Sequence, residues 1–159
     1  MAEQNTSALD QINASSSPSD LRITDMRIAV VGGGGWRWPI IKLETNQGLV
    51  GIGEVRDGAS ARYALMLKSR ILGENPCDID RLFQKIKPFG GHGRLGGGVC
   101  GIEMALCDLA GKAFGAPAYM FAGGKYRGDK IKVYADTPLK KDPEEMGKLL
   151  KDRMDRGFE

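Results

Sequence analysis

Four glycines, Gly32 to Gly35, run directly into Trp36-Arg37-Trp38, a cation flanked by two indoles. Arginine pairs with carboxylates through two parallel hydrogen bonds, and indole rings offer flat stacking surfaces. Glycines supply freedom of movement, so the stretch reads as a flap over an acidic or hydroxylated small molecule. An ordinary connection whose tryptophans lie on a sheet fits the same residues. A phosphate cradle does not: the dinucleotide fingerprint wants glycine where Arg37 stands, and then a helix where a strand returns.

The single histidine, His92, lies two residues before Arg94 in a glycine-rich stretch, Phe89 to Gly98. The neighbouring cation favours its neutral imidazole, which could hydrogen-bond a polyhydroxy acid; a plain surface histidine is the alternative. No second ligand stands at metal-binding spacing from it. Glu103 and Asp108 are two carboxylates close in sequence, the content of an acid-base pair. Five residues on a helix turn them roughly 140° apart, so they do not face one another. Asp108 and Lys112 stand four apart in the favourable order for a helix ion pair, and both acids read as structural. Cys100 and Cys107 would lie about 10 Å apart along that helix, too far for a disulfide. With Cys77 they read as small core residues in a reducing compartment, the cytoplasm. The residues themselves thus offer no catalytic set and no metal set.

Charge is mixed along the chain, and the net value of +3 comes without a basic block. Nucleic acid is excluded as a partner on that ground. No stretch reaches the roughly 20 apolar residues of a membrane span. Residues 1–21 are nearly free of large apolar side chains and are expected to form a disordered tail without secretory-signal character.

These candidates need elements to hold them. Alternation predicts a strand from Ile23 to Val31, broken by Gly32 to Gly35, then a second from Pro39 to Thr45. Asn46-Gln47-Gly48 makes a hairpin turn into a third strand, Leu49 to Val55. Gly51 and Gly53 in that strand predict close approach of another backbone. Helices are predicted over Ala59 to Leu72, capped by Ser60 or Asp57, and after Asp78, which can cap the second, ending before Pro88. The stretch Gly96 to Gly124 organises the rest. Val99, Ile102, Leu106, Leu109 and Ala113 form one helical stripe, and Met104, Ala105, Cys107 and Ala110 fill much of the remaining circumference. Gly115 and Pro117 end this helix. Ile131 to Ala135 alternates as one more strand, and Asp142-Pro143 opens a helix with Met146, Leu149, Leu150 and Met154 on one face.

ALCDLAGKAFGAP followed by GGKYR, together with GIGEVRDG at the end of the third strand, resembles the enolase superfamily. The likeness is to the N-terminal capping domain of the mandelate racemase and muconate-lactonising branch. It covers about residues 22 to 159 and is most specific at Asp108 to Lys112. The chain departs from the pattern at Ala118, where a large apolar residue is usual after the proline, and at Phe121-Ala122, where a Leu-Leu pair usually precedes the double glycine.

The resemblance implies an α+β fold: a three-stranded antiparallel sheet followed by a helical bundle, enolase N-terminal-like, plus the first βα unit of a missing β/α barrel. It implies a capping domain at residues 22–128 and the start of the barrel at 129–159. It implies that the first loop closes over the barrel mouth with Trp36, Arg37 and Trp38. A second specificity loop would carry Arg56, although a solvated turn pairing Arg56 with Glu54 or Asp57 fits too, and such pairs are worth roughly 0 to 1 kcal/mol. His92 and Arg94 complete the substrate-binding candidates. The complete relative would take the proton α to a carboxylate and hold the product on Mg²⁺ supplied by the barrel, with no ion bound by this chain. A sugar-acid dehydratase is the expected parent, a homo-oligomer acting on a small carboxylate, and this chain alone is expected to be inactive. A racemase, epimerase or cycloisomerase parent, or a non-catalytic binding module, is the alternative.

Overall fold

Three runs of alternating apolar residues form an antiparallel meander in the order β1-β2-β3: Ile23–Gly33 (β1), Trp36–Thr45 (β2) and Val50–Glu54 (β3). This computed structural model describes residues 16–33, 36–55, 60–90, 98–124 and 130–158. The chain divides into two units, Met1–Gly124 and Lys125–Glu159.

In the first unit, Met26, Ile41 and Leu43 turn to one face of the sheet and are buried. Gly48 makes the β2–β3 turn at a φ of 80°, a conformation that glycine adopts without strain. Helices Ala61–Met66 (α1), Lys68–Ile71 (α2), Ile79–Ile86 (α3) and Val99–Phe114 (α4) cover the buried face. α4 is central, as its apolar stripe predicts: Val99, Ile102, Leu106, Leu109 and Ala113 are all buried, and Gly115 ends it at a φ of 66°. Each fully buried Leu or Ile contributes about 1.5–3 kcal/mol.

The approach predicted by Gly51 and Gly53 is a direct seat for α4. A Cβ on Gly51 would lie 2.6 Å from Leu109 Cγ and strike the Ala105 carbonyl, and one on Gly53 would strike the Gly101 carbonyl. Helix and strand meet backbone to backbone. The signature residues fasten this seat: Asp108 and Lys112 pair at 2.7 Å, Asp108 Oδ2 accepts from the Ile52 amide at 2.9 Å, and Lys112 Nζ donates to the Val50 carbonyl at 2.6 Å.

Several expectations need correction. β1 does not break at Gly32, because cross-strand pairing carries it to Gly33 opposite Trp36. The helix predicted from Ala59 to Leu72 is two short helices interrupted at Leu67; Ser60 caps the first by accepting from the Tyr63 amide. Asp78 stands at the start of α3 without capping it, its carboxylate being taken by Arg81. Of the residues expected to fill the rest of the circumference, Ala105 and Ala110 are buried and Cys107 is half-buried, while Met104 is 53% exposed. Cys100 is exposed and Cys77 and Cys107 only half-buried, so none is a true core residue.

Residues 16–21 are docked and do not belong to a disordered tail. Pro18–Asp20 forms a 3-10 turn, Leu21 is fully buried, and Ser16 donates to the Ala113 carbonyl at 2.8 Å. Three amide side chains grip this strap by its backbone: Gln47 at Ser17, Asn46 at Asp20 and Arg22, and Asn75 at Pro18 and Ser19. Residues 1–15 lie outside the description.

The 3-10 turn Ala118–Ala122 follows α4, and Phe121 sets its ring 6.0 Å from that of Phe114. That contact occupies the corner where the family pattern departs.

In the second unit, Asp142 caps helix Pro143–Asp155 (α5) through the Glu144 amide, with proline in the first turn, as predicted. The strand expected at Ile131 to Ala135 is not formed. Ile131, Val133 and Tyr134 are 81%, 76% and 87% exposed, and no described strand pairs with them. An alternating segment becomes a strand only when a second strand takes its hydrogen bonds.

Candidate functional site

The candidate site grows from the end of the sheet where the strands differ in length. β3 pairs with β2 only from Glu44 back to Ile40, while β1 continues along β2 through Pro39, Trp38, Arg37 and Trp36. The Val55 amide makes the final bond from the third-strand side, to the Pro39 carbonyl at 2.8 Å. Pro39 has no N–H to offer a neighbour, so the third strand stops there at no cost in unpaired donors. Beyond Pro39 the hairpin is a two-stranded ribbon.

Arg37 lies exposed on this ribbon opposite Gly32, and Trp38 is half-buried opposite Val31. Adjacent strand residues leave opposite faces, so Arg37 and Trp38 do not form one surface. The arginine shares the face of Pro39 and the core, whereas Trp38 shares the outer face with Val31 and Ile40. Val30 and Val31 are 45% and 56% exposed, so the ribbon offers apolar surface on both faces beside a single cation. Trp36 is placed by its backbone pairing with Gly33 alone.

Arg56, His92 and Arg94 lie outside the described residues, but the residues that anchor their segments are described. Val55 is tied to Pro39 at the root of the ribbon. Gly98, just before α4, has a φ of 86°; a Cβ there would lie 3.7 Å from the Val55 side chain. Pro39, Val55 and Gly98 therefore meet at one end of the sheet. Val55 precedes the segment of Arg56 and Gly98 follows that of His92 and Arg94, so described residues flanking both segments meet there, which spacing in the chain did not reveal.

At the opposite end of the sheet, charge serves structure. Asp25 bonds Lys68 and its own neighbours, the Met26 amide and Arg27; Arg27 and Lys42 reach Glu44. Lys68 above all, then Arg27, hold the Asp25 carboxyl well below the usual carboxylate range. Glu74 is lowered in the same sense by Lys85 and then Arg81, at 2.6 Å each. Asp25, Glu44 and Glu74 are each paired with cations, so none of the three is poised for proton transfer.

Among the described residues no three His, Cys, Asp or Glu side chains are grouped to hold a metal ion. The described residues therefore do not fit Mg²⁺. A cavity of about 290 Å³ in the second unit is lined by Lys132, Val133, Arg156, Gly157 and Phe158, none of them a sequence candidate. No described helix is long and apolar enough to cross a membrane.

Comparison with known proteins gives this geometry a family. Residues 15–123 match the model of the mandelate racemase / muconate lactonizing enzyme, N-terminal domain. A D-xylonate dehydratase of Haloferax volcanii is 36% identical over 142 residues, 86% of this chain and 34% of that protein. Among solved structures, an enolase-superfamily member from Salmonella Typhimurium superposes with a TM-score of 0.70 at 30% identity, covering 87% of this chain and 41% of that one. An enolase from Pantoea ananatis with bound D-gluconate and Mg gives 0.68 at 28% identity, covering 87% and 35%. The chain thus spans about a third of the length of the curated relative. The sheet with its longer first hairpin, the α4 seat and the matched residues agree that this chain belongs to the mandelate racemase / muconate lactonizing enzyme family, of which it carries the N-terminal domain.

Proposed function

We propose that the first unit covers the active site of an acid-sugar dehydratase and contributes to substrate binding there without doing the chemistry. One observation carries the reading: the roots of the segments bearing Arg37 and Trp38, Arg56, and His92 with Arg94 meet at one end of the sheet. In this reading Arg37 pairs with the substrate carboxylate, and Arg56, Arg94 and neutral His92 answer charge and hydroxyls. Trp36 and Trp38 cover the sugar chain and exclude water. Taking the proton α to the carboxylate and losing the β-hydroxyl as water belongs to a barrel beyond these residues. A metal ion there would supply positive charge to the substrate carboxylate as the proton leaves.

The dehydratase relative and the gluconate-bound neighbour support an acid-sugar substrate over a hydrophobic one. A racemase or cycloisomerase parent is the second reading, because the matched family is described by both of those activities. The test is Arg37→Ala in the intact protein that carries this chain, assayed with D-xylonate and D-gluconate. A charge-assisted contact of about 1.5–3 kcal/mol predicts a tenfold or greater rise in KM with a smaller change in kcat. An unchanged KM for every acid sugar that is turned over would remove Arg37 from the site.

A further inference from the structure

The outer edge of β3 ends on side chains. The Val55 bond to Pro39 sets the phase of the ladder: Gly51, Gly53 and Val55 turn their backbone groups toward β2, and Val50, Ile52 and Glu54 turn theirs outward. The outward groups at Ile52 and Val50 are the ones answered by Asp108 and Lys112, a donor meeting a carboxylate and an acceptor meeting an ammonium. The two charges neutralise each other at 2.7 Å. A strand edge with one apolar residue exposed, here Ile52 at 44%, is otherwise a template for another strand.

We propose that Asp108 and Lys112 stand in for a fourth strand and keep β3 from pairing with the same edge of a second copy of this chain. A second β3 running antiparallel would need the Ile52 amide and Val50 carbonyl that the ion pair already holds. It would also have to displace or desolvate two charges to reach them. Both residues belong to the most specific part of the family signature, and their reach to β3 gives that signature a physical task apart from substrate.

The test uses the full chain with Asp108→Ala and Lys112→Ala together, alanine being the residue least able to disturb a helix. Sedimentation is compared with the unaltered chain over a concentration series, with circular dichroism to confirm α4. The double variant is expected to show a higher mass than the unaltered chain at equal concentration. At dilutions where it is monomeric, its Ile52 amide should exchange roughly tenfold faster or more. Adding Ile52→Pro, which removes the outward donor and leaves the β2 ladder untouched, should return the mass to the unaltered value. Should the double variant fail to fold, Lys112→Met alone frees the Val50 carbonyl and should raise the mass in the same direction by less. Association that survives Ile52→Pro, or a folded variant with a deprotected Ile52 amide and unaltered mass, would overturn the proposal.

Discussion

Gly53 and Gly101 lie back to back, the carbonyl of one helix residue occupying the space that a side chain on the strand residue would need. The contact is reciprocal, since a Cβ on Gly101 would stand 2.7 Å from the Glu54 carbonyl oxygen. Both groups in conflict are backbone and cannot rotate away. Gly53→Ala should therefore cost about 3 kcal/mol or more, the upper part of the range for overpacking. Gly48→Ala meets nothing within 4 Å and strains only the turn, costing about 1 kcal/mol. Urea midpoints check the ordering, and equal losses at the two sites would contradict the α4 seat.

The strap at residues 16–21 gives a second prediction. Asn75 donates to both Pro18 and Ser19 and accepts from the Cys77 amide. Asn75→Ala should cost about 1–3 kcal/mol and open residues 16–21 to amide exchange and proteolysis before the sheet itself loosens. If the strap and the sheet open together, the three amides are not what hold it.

Acid should weaken the fold in a defined window. Asp25 and Glu74 have folded values below their unfolded ones, so each contributes stability that is complete above about pH 4–5. That contribution is lost as pH falls toward the depressed values. Asp25→Asn should lower stability at pH 7 and reduce the difference between pH 7 and pH 3, measured as urea midpoints. An unchanged difference would show that the contacts to Lys68 and Arg27 do not persist in solution.

Thiol reactivity separates the three cysteines. Cys100 is exposed, whereas burial pushes the Cys77 and Cys107 thiols up, away from the reactive thiolate. A disulfide reagent at mild alkaline pH should label one thiol in a fast phase, mapped to Cys100, followed by the other two. Labelling of Cys77 first would contradict the placement of α3 and its flanking turn.

Much of this fold is legible in the sequence because its signals are local. Glycines at 48 and 115, the α4 stripe and the Asp142-Pro143 start each act within one turn of chain. The features that escape are those in which distant residues decide. Gly32 and Gly33 extend a strand only because the paired β2 continues past Pro39. Ser16 to Leu21 look like tail until Asn46, Gln47 and Asn75 are seen to hold them. Ile131 to Ala135 has the right alternation and no described partner strand. At the candidate site the residue types were readable and the meeting of Pro39, Val55 and Gly98 was not. Arg37 and Trp38, adjacent in sequence, are parted by the period of a strand, so the site they serve must be met from two faces of the ribbon.

The most direct measurement compares the 159-residue chain with the intact protein that carries it. Each is incubated with Mg²⁺ and D-xylonate or D-gluconate, and the keto-deoxy acid left by loss of water is quantified. The account predicts product from the intact protein and none from the 159 residues alone. Mg²⁺-dependent product from the isolated chain would contradict it, because the chemistry would then lie within residues assigned here to covering and holding the substrate.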